Sequence, residues 1–247
     1  MVRPHRLLLV LFIVALLSQT TFTIDVVRTL SGDYPLKPVG LGAPWPSITS
    51  LSKAAETAGL RKGDRVIAVG GRALRGAADF ARAVRVKHPG ERLTITVERD
   101  GKAMDFEAPL EGFYTWLSFA LISLLFMPWL SILLGFWVTA MRPRDARAWM
   151  VLGILLGLSQ MMRPAVLDPR AWLSDIGPIA LVFRELASAA WPICMMLFGV
   201  YFPQRWRVDR RVPWVKWLFI VPLGANGIFS AAGSVAASVD FRLGQWP

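Results

Sequence analysis

The sequence predicts an α-helical multi-pass membrane protein with a small α+β domain inserted after its first span, on the extracytoplasmic side. Three observations predict it. Of the 247 residues, 54% are hydrophobic, above the roughly 45–50% usual for soluble domains, and the excess lies before residue 24 and after residue 112. Between these flanks runs one sizeable polar region, about 33–112, in which strand and helix periodicities alternate. Short connectors between the later apolar runs carry clusters of arginine.

The first segment, 1–27, opens with Arg3 and Arg6, continues with the apolar run 7–17 and ends in a milder stretch. A basic start and a short apolar core also describe a signal peptide. No small-x-small cleavage site follows Leu17, and Thr20, Thr21, Phe22 and Ile24 extend the segment to the ~20 residues a bilayer requires. An uncleaved anchor is the favoured reading; either one sends the next segment across the membrane.

Within 33–112, Val66, Ile67 and Val69 mark a buried strand closed by Gly70-Gly71. Ala77, Phe80, Ala81 and Val84 are spaced as one helix face, and Pro89-Gly90 follows that helix. Leu93, Ile95 and Val97 alternate with Thr94, Thr96 and Glu98, which predicts a half-buried strand. Asp100-Gly101 predicts a hairpin turn into a partner strand through Ala103, Met104 and Phe106.

The region 113–247 contains four further apolar runs, about 113–141, 149–167, 179–202 and 217–239, each read as a membrane helix. Charges orient them. Arg3 and Arg6, then Arg142, Arg144 and Arg147, then Arg205, Arg207, Arg210, Arg211 and Lys216 fall on one side of the predicted topology, and the short loop with Asp168, Arg170 and Asp175 on the other. Three basic segments on one side satisfy the positive-inside rule and place the small domain outside. The expected location is the inner membrane.

Composition excludes several classes. The net charge is +11, but the basic residues lie in short loops and suit anionic lipid rather than nucleic acid. One cysteine, Cys194, and two histidines, His5 and His88, leave no disulfide and no thiolate or histidine metal site. A membrane zinc protease needs two histidines near a glutamate on one helix, and no apolar span contains a histidine. No catalytic constellation, cofactor or metal is expected.

The polar region resembles the PDZ family, in particular the bacterial forms found in envelope proteases and sensors. The residues that carry the resemblance are Ala54-Ala55, Ala58-Gly59-Leu60, Gly63-Asp64-Arg65-Val66-Ile67, Gly70-Gly71, Pro89-Gly90 and Val97-x-Arg99-x-Gly101. The resemblance implies a domain that adds an extended peptide beside a sheet edge. It implies that Gly40, Leu41 and Gly42 form the glycine-rich loop that holds the peptide end. Phe80 and Val84 then border the groove, or else lie beneath it as core. One departure stands out: Pro44 and Pro46 interrupt 43–53, where a usual member needs two strands. Proline cannot donate to a ladder, so a short or blocked binding edge is expected.

Inside the apolar runs, Arg163 and Glu185 fall at similar predicted depth and form a candidate intramembrane ion pair; the alternative places Arg184 and Glu185 in the outer interface. Pro128, Pro192 and Pro222 predict kinks. Gly224-x-x-Gly227 and the alanines after it predict close packing of the last helix. The chain is also similar to the N-terminal input region of bacterial membrane sensor kinases or phosphatases, with Tyr201-Phe202-Pro203-x-Arg205 as the recurring feature. Two functions follow as expectations: a sensory input region, or a membrane-anchored adaptor that recruits envelope proteins. Expected partners are the lipid bilayer and an extracytoplasmic peptide or protein segment; homo-oligomerisation is left open.

Overall fold

The computed structural model describes residues 4–112, 118–161, 177–202, 211–212 and 214–242. The elements are α1 (Pro4–Leu30), β1 (Val39–Gly42), β2 (Ser47–Leu51), α2 (Lys53–Thr57), β3 (Arg65–Val69), β4 (Arg72–Ala73), α3 (Ala77–Arg85), β5 (Arg92–Arg99), β6 (Lys102–Pro109), α4 (Ser118–Met141), α5 (Ala146–Met161), α6 (Gly177–Tyr201) and α7 (Trp217–Val239). They form two compact units. One contains the start of α1, α4 from Ile122, α5, α6 from Ile179, and α7 as far as Ala232. The other contains α1 from Phe22, all the strands with α2 and α3, and the chain from Gly233.

The helical unit has a mostly apolar interior, in which Gln19, Thr139, Ser159 and Gln160 are also buried, and a largely apolar outer surface. Ala15, Ile132, Phe136, Leu152, Phe183 and Ala187 share one buried cluster, so α1, α4, α5 and α6 pack together. Phe12 meets Phe136 edge-on at 4.8 Å. Small residues bring backbones close: Gly135 lies against Leu152 and Leu155, Gly153 against Cys194, Gly157 against Ala187 and Trp191, and Gly227 against Ala189. Gly227 therefore supports the close packing expected of α7, whereas Gly224 faces open space. Phe126, Trp137, Leu218 and Phe229 are exposed, a surface suited to lipid rather than water.

Among the described residues, three helices are long and apolar enough to cross a membrane: His5–Leu30, Gly177–Tyr201 and Trp217–Val239. Leu125–Met141 and Ala146–Met161 are shorter apolar helices. Pro128, Pro192 and Pro222 lie inside α4, α6 and α7. Arg142, Arg144 and Arg147 are exposed around the α4–α5 connector, where the Asp145 carboxylate accepts from the Arg147 backbone N–H at 2.9 Å and Trp149 Nε1 donates to the Pro143 carbonyl at 2.9 Å.

The other unit is built on a six-stranded antiparallel sheet in the order β1-β2-β3-β5-β6, with β4 paired to β3. Leu93, Ile95 and Val97 of β5 are all buried, as their alternation requires. Asp100 (φ 53°) and Gly101 (φ 72°) make the β5–β6 turn, the left-handed pair that a two-residue hairpin demands. Gly70 and Gly71 do the same between β3 and β4. On α3, Ala77, Phe80, Ala81 and Val84 are buried. Ser52 caps α2, its Oγ accepting from the Ala55 backbone N–H at 3.1 Å. The Leu36 N–H donates to the Glu111 carbonyl at 2.8 Å, tying the two ends of the domain together.

Candidate functional site

β1 is an edge strand: it pairs with β2 on one side, and among the described residues no strand pairs with its other side. Its two glycines have a packing role. A Cβ on Gly40 would strike the Ser50 side chain, and one on Gly42 would come within 2.6 Å of Thr49 Cγ2. Thr49 Oγ1 also donates to the Gly40 carbonyl at 3.1 Å. Gly40, Leu41 and Gly42 thus lie in a strand rather than in a loop. A cavity of about 220 Å³ opens beside the start of β1, lined by Leu36, Pro38, Gly40, Ser50 and Glu111 among others.

α3 shares the core beneath this edge. Phe80 and Val84, 3% and 2% exposed, join Val39 in one cluster, and Leu41 packs against it. The structure therefore brings Leu41, Phe80 and Val84 together, with the two α3 residues as floor rather than open surface. Pro44 and Pro46 sit in the turn between β1 and β2, each preceded by a cis peptide bond. They lie outside the ladder, whose register shifts between Gly40 and Leu41: β2 starts at Ser47, whose N–H donates to the Pro44 carbonyl at 3.0 Å. The edge strand β1 is four residues long and ends before both prolines.

Two polar clusters hold the flanks. Arg99 donates from Nε and Nη2 to both oxygens of Asp64, at 2.8 and 2.6 Å, and from Nη2 to the Gly59 carbonyl at 2.9 Å. The Arg61 N–H donates to Asp64 at 2.8 Å. Burial opposes the charge on Asp64, but these bonds from Arg99 and Arg61 outweigh it and hold the carboxyl below its usual range. At the other end of α3, Arg85 forms an ion pair with Asp25 near the end of α1. Its guanidinium lies 4.8 Å from the Tyr34 ring centre, while Arg28 donates to the Tyr34 hydroxyl at 2.5 Å. Sequence reasoning found the Asp64 turn but neither of these distant partners.

Residues 47–110 match the family model described as the PDZ domain. This stretch is a PDZ domain. The match runs from the first residue of β2 to Leu110, so β1, the edge strand, is contributed by the chain just before it. A PDZ domain is a binding domain, not a catalytic one. No curated protein matches the chain. Among the described residues, no three His, Cys, Asp or Glu side chains gather as metal ligands.

Of the candidate intramembrane pair, Arg163 lies outside the described residues. Glu185 lies on α6 and accepts a hydrogen bond from Ser230 Oγ of α7 at 3.0 Å. A serine in a glycine- and alanine-rich helix carried no signal that singled it out.

The last turn of α7 and the residues after it reach the PDZ domain. Ala77, Ala237 and Phe241 form one buried cluster, against which Leu41, Trp45 and Leu74 pack. The Phe241 ring stacks on Trp45, centres 5.4 Å apart and planes 19° from parallel. The Phe241 N–H donates to the Arg75 carbonyl at 2.9 Å. Nothing in the sequence marked this lone phenylalanine beyond a hydrophobic span.

Proposed function

We propose that this protein presents its PDZ domain at the extracytoplasmic face of a bacterial inner membrane. There it binds extended peptide or protein segments along β1, as the sensory input part of a signalling protein. The observation that carries the reading is the edge of β1 that no described strand pairs, above the α3 floor, in a chain with membrane-length helices before and after the domain. An edge strand is a template for one more strand, whose main chain supplies affinity and whose side chains supply choice. The exposed Arg142, Arg144 and Arg147 support a cytoplasmic α4–α5 connector under the positive-inside rule; with α4 read as a span, this favours the opposite side for residues 33–112.

The test uses the full chain in phospholipid nanodiscs and a peptide selected against it from a displayed random library. Bound peptide is expected to slow amide exchange at Val39–Gly42. Protection confined to other segments, or no peptide enriched over empty nanodiscs, refutes the binding site. A reporter active only in the cytosol, fused after Glu111, tests sidedness: a strong signal reverses it.

A further inference from the structure

We propose that the C-terminal end of α7 is a latch on the binding edge, so that a ligand strand and the segment around Phe241 exclude one another. The inference rests on reading β1 as the peptide-binding edge. Three separate parts of the domain hold the segment. Trp45, from the β1–β2 turn, stacks on the Phe241 ring. The Arg75 carbonyl accepts from the Phe241 N–H. The first turn of α3 contributes Ala77 to the cluster with Ala237 and Phe241.

Gly76 makes the fourth contact by having no side chain. A Cβ there would strike the Ser238 carbonyl oxygen and lie 2.6 Å from that of Val239. The backbone at Gly76 is extended, with φ −144°, a conformation open to any residue; glycine is needed for space alone. The segment is itself well formed: the Asp240 N–H donates to the Ala236 carbonyl at 2.9 Å, and the Asp240 carboxylate accepts from the Arg242 N–H at 2.8 Å.

Leu41 belongs to both sides of this contact: it packs on the domain core and on the Phe241 cluster. An extended ligand following β1 past Leu41 meets Phe241 and Trp45. Full pairing along a four-residue strand therefore requires the latch to leave. Because the latch continues from a helix long and apolar enough to cross a membrane, binding at the edge and release of the last turn of α7 become one event. That supplies a physical link from a peptide outside to a helix inside the bilayer.

The experiment compares the full chain in nanodiscs with two variants that open the latch by different means. Phe241→Ala removes the stacked ring, and Gly76→Ala expels the Ser238–Val239 backbone without touching the ring. The probe is a fluorescein-labelled peptide selected from a displayed random library against the Phe241→Ala chain. If the latch is closed nine-tenths of the time, apparent affinity in the unaltered chain falls about tenfold. Both variants are then expected to bind about ten times more tightly than the unaltered chain, with β5 amide protection unchanged as evidence of folding. Equal affinity for all three overturns the latch and leaves the binding edge standing. Failure to enrich any peptide against the open variant overturns the binding edge and the latch with it.

Discussion

Arg99 holds Asp64 by both carboxylate oxygens while also holding the Gly59 carbonyl, so one side chain on β5 pins the whole 59–64 loop. The Asp64 side chain is 4% exposed and that of Arg99 18%. Removing one partner of a buried pair strands the other charge. Asp64→Ala is expected to destabilise the domain by about 3 kcal/mol, measured by pulse proteolysis of the full chain in nanodiscs. Glu98→Ala breaks the Arg65–Glu98 pair, 59% and 41% exposed, and is expected to cost under about 0.5 kcal/mol. Equal losses contradict this ranking.

The same carboxylate sets a pH dependence. Folding holds the Asp64 carboxyl below its ordinary value. Its contribution to stability is therefore complete above that value and is lost as pH falls through the lower, folded one. The domain melting temperature is expected to decline on acidification below the ordinary carboxylate range, more steeply than in Asp64→Asn. Parallel acid limbs in the two proteins rule Asp64 out as a source.

Gly59 and Gly63 both have left-handed backbones, at φ 99° and 91°. Only at Gly59 does a Cβ meet an obstacle, the Phe106 ring at 2.9 Å, while Gly63 faces open space. Alanine at either site costs about 1 kcal/mol for its backbone angle. Gly59→Ala adds a steric term and is expected to cost at least about 1 kcal/mol more than Gly63→Ala. Urea denaturation of both variants checks the difference.

Glu185 accepts from Ser230 across α6 and α7. Hydrogen bonds between membrane helices average about 0.6 kcal/mol, so Ser230→Ala is expected to weaken the bundle by that amount in a detergent unfolding assay. Glu185→Gln keeps an acceptor for the serine and is expected to change little. A large loss in Glu185→Gln points instead to an ion pair, for which Arg163 is the candidate.

Arg85 and Asp25 join α3 to the end of α1. In Arg85→Ala, amide exchange from Asp25 to Tyr34 is expected to accelerate, because the Asp25 carboxylate loses that guanidinium and the Tyr34 ring its closer cation. Acceleration spread evenly over the domain indicates a global loss of stability instead.

Periodicity made β3, α3, β5 and β6 legible, because each alternates or spaces its apolar residues against one core. β1 and β2 were not legible as strands. Val39–Gly42 is half glycine, and Ser47–Leu51 offers only Ile48 and Leu51 as apolar residues. Their pairing rests instead on Thr49 and Ser50 filling the space above the missing side chains of Gly40 and Gly42. The prolines suggested an obstacle within a strand and lie in the turn before one. Gly40, Leu41, Gly42, Phe80 and Val84 could be named from family likeness, but whether the α3 pair forms surface or floor depended on packing. Ser230 and Phe241 were invisible because each acquires its role from a residue far away in the chain.

β1 offers only four residues, roughly 13 Å of strand at 3.3 Å per residue. Alternate residues along a strand turn their amides the same way, so about half of them face an incoming chain. At about 1 kcal/mol net for each main-chain bond, so short a platform grips weakly and lets go fast. On the proposed reading, a domain of this kind would register how densely partner segments crowd its surroundings instead of retaining any single molecule.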